Sequence, residues 1–140
     1  MKRIFCIDYG DVRTGLAISD PLGIIAVGIG TVRAEGDRKL ITLISEELKK
    51  YDDIEIIVVG NPINMDGSRG PRSEKATAFA SKLSKATGIE TVLYDERLST
   101  MNAHRIMNDT NTRGQKRKDT VDTLSAQLIL QSYMDLNKKR

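Results

Sequence analysis

The chain has 140 residues, of which 39% are hydrophobic and 29% charged, and its formal net charge is +3. A chain of this length typically forms one compact unit, so we expect a single domain over residues 1–140. Its apolar runs are far shorter than the roughly 20 residues of a membrane span, and the N-terminus lacks the pattern of a signal peptide. We therefore expect a cytoplasmic protein that does not contact membranes. The only cysteine, Cys6, lies in an apolar run, so we expect it to be buried.

The first third of the chain predicts three antiparallel strands. Residues 4–7 and 16–18 are apolar runs joined by a polar segment with a glycine at each end, which is the pattern of a hairpin. A turn motif with proline and glycine follows, and a third strand is expected over residues 24–32. Gly28 and Gly30 within it indicate either a bulge or a close neighbour, and the pattern does not decide between them.

Helices and strands alternate in the middle of the chain. Apolar residues at helical spacing predict a helix that Asp37 caps. The β-branched run at residues 54–60 is typical of a central strand covered on both faces. A second helix is expected from about Pro71, with Gly88 just past its end, and residues 91–94 predict the last strand. A helix between two such strands implies a parallel crossover.

The last third predicts two helices separated by a loop. Ser99 is a plausible cap for a helix to about Asn108, residues 110–118 are polar, basic and aperiodic, and residues 119–136 have a broad apolar side. The predicted fold class is therefore α/β, with a mixed five-stranded sheet of three antiparallel strands followed by parallel crossovers, flanked by helices.

Acidic residues occur where these elements meet. Asp8 ends the first strand, Asp95 and Glu96 follow the last strand, and Asp119 and Asp122 open the last predicted helix. Clustered carboxylates repel one another unless a hard cation such as Mg²⁺ or Mn²⁺ neutralises them, and such ions support phosphodiester hydrolysis. Most of these residues also have a structural explanation. Asp119 is suited to capping the helix, and Asp122 would stabilise the positive end of that helix whether or not it binds metal. Asp95 and Glu96 can pair with Arg97 or simply lie in an exposed loop.

A glycine-rich loop at residues 60–70 forms a second candidate site. Its glycines let backbone N–H groups converge on phosphate, and Ser68 and Arg69 add a hydroxyl and a planar cation. An ordinary turn loop explains the pattern equally well, and Arg13 in the first hairpin has the same ambiguity. From Arg113 to the end, seven Lys or Arg stand against three Asp, which favours a polyanionic partner only in combination with the carboxylates. His104 has no second histidine beside it, so we expect it to be structural rather than a general acid or base.

Four motifs together resemble the YqgF family, bacterial proteins of ribonuclease-H-like fold described as pre-16S ribosomal RNA nucleases and as Holliday-junction-resolvase-like. The motifs follow one another in the family's order and span nearly the whole chain. They are Asp8-Tyr9-Gly10 with Arg13-Thr14-Gly15-Leu16-Ala17 and Ser19-Asp20; Val59-Gly60-Asn61-Pro62 with Met65-Asp66-Gly67-Ser68 and Gly70; Asp95-Glu96-Arg97-Leu98-Ser99-Thr100; and Lys116 with Asp122, Ala126 and Ile129-Leu130-Gln131.

The resemblance implies a metal-dependent endonuclease that processes the 5′ end of pre-16S rRNA. The family's acidic triad falls on Asp8, Glu96 and Asp122, which would hold Mg²⁺ or Mn²⁺. Asp119 lies outside the family pattern and remains an expected cap. Structured RNA is the implied partner, bound by a monomer or a homodimer. The residues expected to position the nucleic-acid backbone are Arg13, Ser68, Arg69, Arg97, Lys116 and Lys118.

Three other functions fit parts of the same pattern. Four-way DNA junctions present the same phosphate chemistry to a resolvase, which usually needs a dimer to cut two strands. A non-catalytic ribosome-assembly or transcription factor would use only the basic loop. Sugar-kinase and actin-type ATPases also begin with an Asp-x-Gly hairpin, but they need two such domains, and 140 residues supply one.

Overall fold

The computed structural model describes residues 2–98 and 114–137. The helix expected after Ser99, residues 110–113 of the predicted basic loop, and His104 lie outside the described residues. Within the described part, no helix is both long enough and apolar enough to cross a lipid bilayer.

One mixed sheet of five strands organises the fold, as the sequence predicted. The strands lie in the order β3-β2-β1-β4-β5, with β2 antiparallel to both β1 and β3, and β4 parallel to both β1 and β5. The strands are β1 (Arg3–Asp8), β2 (Arg13–Ser19), β3 (Ala26–Arg33), β4 (Ile54–Asn61) and β5 (Glu90–Asp95). The parallel strands β1, β4 and β5 therefore end at one edge of the sheet.

Helices cover both faces of the sheet because the central strands are apolar on both sides. In β1, Phe5 and Ile7 face one hydrophobic cluster while Cys6 faces the other, and all three are fully buried. The helices are α1 (Asp37–Leu48), α2 (Pro71–Thr87) and α3 (Gly114–Asn137). Helices α1 and α2 pack on the Phe5 side, and α3 packs on the Cys6 side. The expectation that Cys6 is buried is confirmed.

The predicted ends of α2 are confirmed, whereas the predicted cap of α1 is wrong by one residue. Helix α2 begins at Pro71, and Gly88 follows it with the left-handed φ of 71° that a C-terminal glycine typically adopts. Gly36 occupies the N-cap of α1, and Asp37 is the first helical residue. Asp37 is instead held by the Tyr9 hydroxyl, which donates a hydrogen bond of 2.5 Å to its carboxylate.

The start of α3 corrects the sequence prediction. The helix begins at Gly114 rather than at Asp119, so part of the predicted loop is helical and Asp119 does not cap the helix. Glutamine, lysine and arginine, which fill residues 115–118, favour helix without any apolar periodicity, and periodicity was the signal used. As a result, Asp122 lies in the third turn of the helix, well inside it.

Strand β3 contains the irregularity that its two glycines suggested. Leu16 pairs with Gly30 and Ala17 with Gly28, so Ile29 is an extra residue between them. Gly28 also faces α3 closely, because a Cβ on it would lie 2.7 Å from Cγ2 of Thr123. Both explanations left open by the sequence therefore apply to this strand, which begins at Ala26 and not at Ile24.

Candidate active site

The candidate site lies at the edge where the three parallel strands end. Asp8 is the last residue of β1, Asp95 is the last residue of β5, and Glu96 opens the 3₁₀ turn Glu96–Leu98 that follows. Asp8 and Glu96 were expected at the ends of the first and last strands, and the structure brings these strands together as parallel neighbours of β4. Sites in open α/β sheets typically form at this edge.

The Asp8 carboxyl group is the electrostatic centre of this edge. Its pKa lies well above its ordinary value of 3.8, first because burial removes water from the charged form and then because Glu96 and Asp122 add negative charge nearby. A hydrogen bond between the Asp8 and Glu96 carboxyl groups raises the pKa of Asp8 further, and the charge of Arg72 opposes the shift. Carboxyl groups from two other elements thus act on that of Asp8.

The negative charge at this edge also affects the buried thiol of Cys6. Burial is the main cause that raises the pKa of Cys6 well above its ordinary value, and the charges of Asp8 and Glu96 raise it further. A thiol in this environment stays protonated and unreactive. This agrees with the expectation that Cys6 belongs to the core.

Glu96 reaches the site by lying over a glycine of β4. A Cβ built on Gly60 would be 3.0 Å from both Cγ and Oε2 of Glu96, so the acidic side chain packs directly on the bare backbone of that strand. Because β4 lies next to β1, the position over Gly60 brings Glu96 within hydrogen-bonding reach of Asp8.

Asp122 approaches from the opposite side, on α3. Its carbonyl oxygen would lie 2.0 Å from a Cβ on Gly15, the residue of β2 that pairs with Asp8. The Nε atom of Arg13 donates a hydrogen bond of 3.0 Å to Oδ2 of Asp122, across 109 residues of sequence. Arg13 was predicted to contact nucleic acid, and here its guanidinium holds one of the predicted metal ligands.

The donor chemistry of these residues fits a hard divalent cation. Asp8, Glu96 and Asp122 supply only oxygen ligands. Burial is the main cause that raises the pKa of Asp8, and the negative charges of Glu96 and Asp122, which a cation would neutralise, add to it. Within residues 2–98 and 114–137, no three carboxylate, histidine or cysteine side chains converge on one point as a complete set of metal ligands would. Asp122 is paired with Arg13, which competes with a cation for the same oxygen.

The loop between β4 and α2 is braced by its own polar side chains. Asp66 Oδ1 accepts hydrogen bonds from the Ser68 backbone N–H and from the Ser68 hydroxyl, at 2.9 and 2.6 Å. Asn64 donates through Nδ2 to Ser68 Oγ at 3.0 Å. The hydrogen bonds from Ser68 hold the pKa of Asp66 below its usual range. Ser68 was predicted to bind substrate, and in this arrangement its hydroxyl proton is directed to Asp66.

Two arginines beside this loop behave differently. Arg97 forms a forked ion pair with Asp95, with Nη2 to Oδ2 at 2.6 Å and Nε to Oδ2 at 2.9 Å, and this pairing lowers the pKa of Asp95. Asp95 therefore pairs with Arg97, as its structural explanation proposed, and this ion pair engages part of the Arg97 guanidinium. Arg69 is exposed, and it forms no ion pair with any residue that the structure describes.

The sequence analysis missed Arg72. This arginine lies in the first turn of α2, where its charge opposes the rise in the pKa of Asp8. The signal was present, because Arg72 follows the predicted start of α2 at Pro71, and the N-terminus of a helix favours negatively charged groups. A buried hydrogen bond of 2.6 Å from the Ser73 hydroxyl to Oδ1 of Asn61 fastens that helix end to β4.

The remaining predicted contacts lie on α3. Lys116 and Lys118 belong to its first turns, and their side chains fall outside the described part of the structure. The assignment of Lys116 and Lys118 to substrate binding therefore stays a prediction.

The chain matches known proteins over nearly its whole length. A family model described as "RuvX: Holliday junction resolvase" matches residues 2–136. A protein of Ruminiclostridium cellulolyticum is 44% identical over 134 residues, which cover 95% of this chain and 94% of that protein. One from Halothermothrix orenii is 40% identical over 137 residues, covering 98% of this chain and 97% of that protein. Both carry the name "Putative pre-16S rRNA nuclease".

Solved structures support the fold independently. Thermus thermophilus RuvC in complex with a Holliday junction superposes with a TM-score of 0.62 at 12% identity, covering 99% of this chain and 97% of RuvC. The fowlpox virus resolvase with junction DNA gives a TM-score of 0.56 at 14% identity, covering 96% of this chain and 98% of that one. The predicted ribonuclease-H-like fold is confirmed. Together with the family model and the relatives, the motif resemblance is confirmed as well, and the chain belongs to the RuvX family, also called YqgF.

Proposed function

We propose that this protein is a metal-dependent endonuclease that hydrolyses phosphodiester bonds in the 5′ extension of precursor 16S rRNA. The observation that carries the proposal is the approach of Glu96 and Asp122 to Asp8 at the edge where the parallel strands end. Glu96 lies over Gly60 of the strand next to β1, and the Asp122 backbone lies over Gly15, which pairs with Asp8. The names of the relatives supply the substrate class. The expected setting is the cytoplasm, with the chain acting as a monomer or a homodimer.

Asp8, Glu96 and Asp122 would hold Mg²⁺ or Mn²⁺ in this activity. When bound, such a cation polarises a water molecule and the phosphoryl oxygens, which lowers the barrier to hydrolysis. Asp8 would bind such a cation as a carboxylate. Burial and the charges of Glu96 and Asp122 raise the pKa of this group, so a proton would compete with the cation for it.

The cationic residues around the carboxylates would position the nucleic-acid backbone. Arg69 and Arg72 are exposed at the N-terminal end of α2, whose first-turn N–H groups also favour phosphate. Arg97 and Ser68 stand beside them and would contribute by exchanging an internal acidic partner for a phosphate oxygen. Lys116 and Lys118 are proposed for the same role from the α3 side.

Arg13 would have two roles. Its Nε atom holds Oδ2 of Asp122 at 3.0 Å, which would orient that carboxylate as a cation ligand. Its planar guanidinium also suits phosphate oxygens, so Arg13 would contact the nucleic-acid backbone as well.

A resolvase acting on four-way DNA junctions is the second candidate, favoured by the description of the family model. The two candidate functions are distinguished by incubating the purified protein with labelled 5′-end fragments of precursor 16S rRNA and with a labelled four-way junction, in Mg²⁺ and in chelator. Metal-dependent cutting of the RNA supports the proposal, and paired symmetric cuts in the junction alone would replace it with the resolvase. Binding of RNA without cutting of either substrate would indicate a non-catalytic assembly factor.

A further inference from the structure

Two glycines flank Asp8, one on each neighbouring strand. Gly15 on β2 pairs directly with Asp8. On the other side, Ile7 pairs with Val59 of β4, so the next residue, Gly60, lies beside Asp8. Neither glycine has a positive φ, so the backbone conformation does not require glycine at either position. The presence of glycine on both sides of Asp8 therefore needs an explanation other than backbone conformation.

The space above Gly60 is occupied by Glu96. A Cβ at this position would lie 3.0 Å from Cγ and from Oε2 of Glu96, and 2.9 Å from Cδ1 of Ile129. An alanine would therefore push the Glu96 side chain away from β4. Since Asp8 lies on the adjacent strand and shares a hydrogen bond with Glu96, the displacement would separate these two carboxyl groups.

The space above Gly15 is occupied by the backbone of α3 at Asp122. A Cβ there would lie 2.0 Å from the Asp122 carbonyl oxygen and 2.5 Å from its carbonyl carbon. Main-chain atoms cannot rotate away as the end of a side chain can. An alanine would lift this turn of the helix and move Asp122 away from Asp8.

We propose that Gly15 and Gly60 are positioning residues, which set the separation of Asp122 and Glu96 from Asp8 by giving each of them bare backbone to lie on. The inference rests on the proposed function, because it concerns the geometry of the same three carboxylates. It adds that the separations between the three carboxylates depend on the lack of a Cβ atom at Gly15 and Gly60, as well as on the acidic residues themselves.

Gly60 offers the cleaner test because the clash there involves side chains. In an Ile129→Val background, which removes Cδ1, an alanine at residue 60 still meets Glu96, so Gly60→Ala isolates the acidic contact. The matched control is Gly28→Ala in a Thr123→Ser background, where the new Cβ faces Thr123 and Gln127 of α3 instead of a carboxylate, and the Cγ2 atom at 2.7 Å has been removed. If the first double variant is too unstable to purify, the single variant Gly60→Ala replaces it, because this variant keeps the fully buried Ile129 side chain intact.

The readouts are the dissociation constant for Mn²⁺, measured by electron paramagnetic resonance of the free ion, the thermal midpoint, and the position of Glu96 in a crystal structure. Relative to its Ile129→Val parent, Gly60→Ala should weaken Mn²⁺ binding about tenfold to a hundredfold, as loss of outer support does at metal sites. Glu96 should also be displaced from Asp8. Gly28→Ala should bind Mn²⁺ within about twofold of its Thr123→Ser parent.

Equal Mn²⁺ affinity in the two alanine variants and their parents would overturn the inference, as would a structure in which Glu96 keeps its place. Equal losses in both would also overturn it, because they would reflect general destabilisation. Failure of the proposed function looks different: the wild-type protein would bind no Mn²⁺, or Asp8→Asn would bind it as tightly as the wild type. In that case the carboxylates hold no metal, and the inference falls with the proposal.

Discussion

Replacing Asp8 by asparagine should make the metal-free protein more stable, although the residue lies at the centre of the proposed site. Asparagine keeps the shape of the side chain and removes a charge that burial and two neighbouring acids disfavour. Two like charges about 4 Å apart repel by about 4 kcal/mol at an effective dielectric constant of 20. Solvent and relaxation reduce this figure, so we expect Asp8→Asn to raise the free energy of unfolding by about 1 to 3 kcal/mol at neutral pH.

The pH dependence follows from the direction of the pKa shift. The pKa of Asp8 in the folded protein is raised above its ordinary value of 3.8, so this residue favours folding when protonated and loses that contribution as the pH rises through the folded-state pKa. The advantage of Asp8→Asn should therefore be small near pH 4 and grow towards neutral pH. The corresponding increase in Tm is about 3 to 10 °C for a domain of this size.

The assay is thermal unfolding in chelator between pH 4 and pH 8, repeated with Mg²⁺. Magnesium should raise the Tm of the wild type by mass action and leave Asp8→Asn nearly unchanged. Asp53→Asn is the matched control: an ion pair with Arg3 lowers the pKa of Asp53, so its neutralisation should reduce Tm. An Asp8→Asn variant that is less stable than the wild type at every pH would refute the reasoning.

Three further predictions concern the surroundings of the carboxylates. Ser73→Ala leaves the buried Oδ1 of Asn61 without its donor and should cost about 1 to 3 kcal/mol by chemical denaturation, whereas Ser81→Ala on the exposed face of α2 should cost almost nothing. Arg13→Gln removes the partly exposed pair with Asp122, so it should lower stability by less than about 1 kcal/mol while raising the KM for RNA; an unchanged KM would exclude Arg13 from substrate binding. Arg69→Gln and Arg72→Gln should each reduce the slope of log binding affinity against log salt concentration by about 1 without altering Tm. A slope equal to that of the wild type would mean that the arginine concerned does not contact the nucleic-acid backbone.

The sheet edge was predictable from sequence because its determinants are local. A β-branched run such as that of β4 is characteristic of a strand covered on both faces, and a helix on each side of it implies parallel crossovers. Parallel neighbours end at the same edge, so Asp8 and Glu96 were expected to come together without any knowledge of side-chain packing.

The contacts that tune the site were not predictable in the same way. Arg13 and Asp122 are 109 residues apart, and a chain with 22 basic and 19 acidic residues offers many possible pairs of this kind. The packing of Glu96 on Gly60 depends on a turn conformation that no periodicity reveals. The start of α3 was missed because residues of high helix propensity extend the helix beyond its apolar pattern.

The central claim is that the three carboxylates make this chain a metal-dependent nuclease. Its most direct test is the single-turnover rate of cleavage of a precursor 16S rRNA 5′-end fragment, measured against Mg²⁺ concentration for the wild type, Asp8→Asn, Glu96→Gln and Asp122→Asn. The account predicts cleavage by the wild type that chelator abolishes, and a loss of at least about 100-fold in each variant. Cleavage that persists in chelator, or that any of the three variants performs at the wild-type rate, would contradict it.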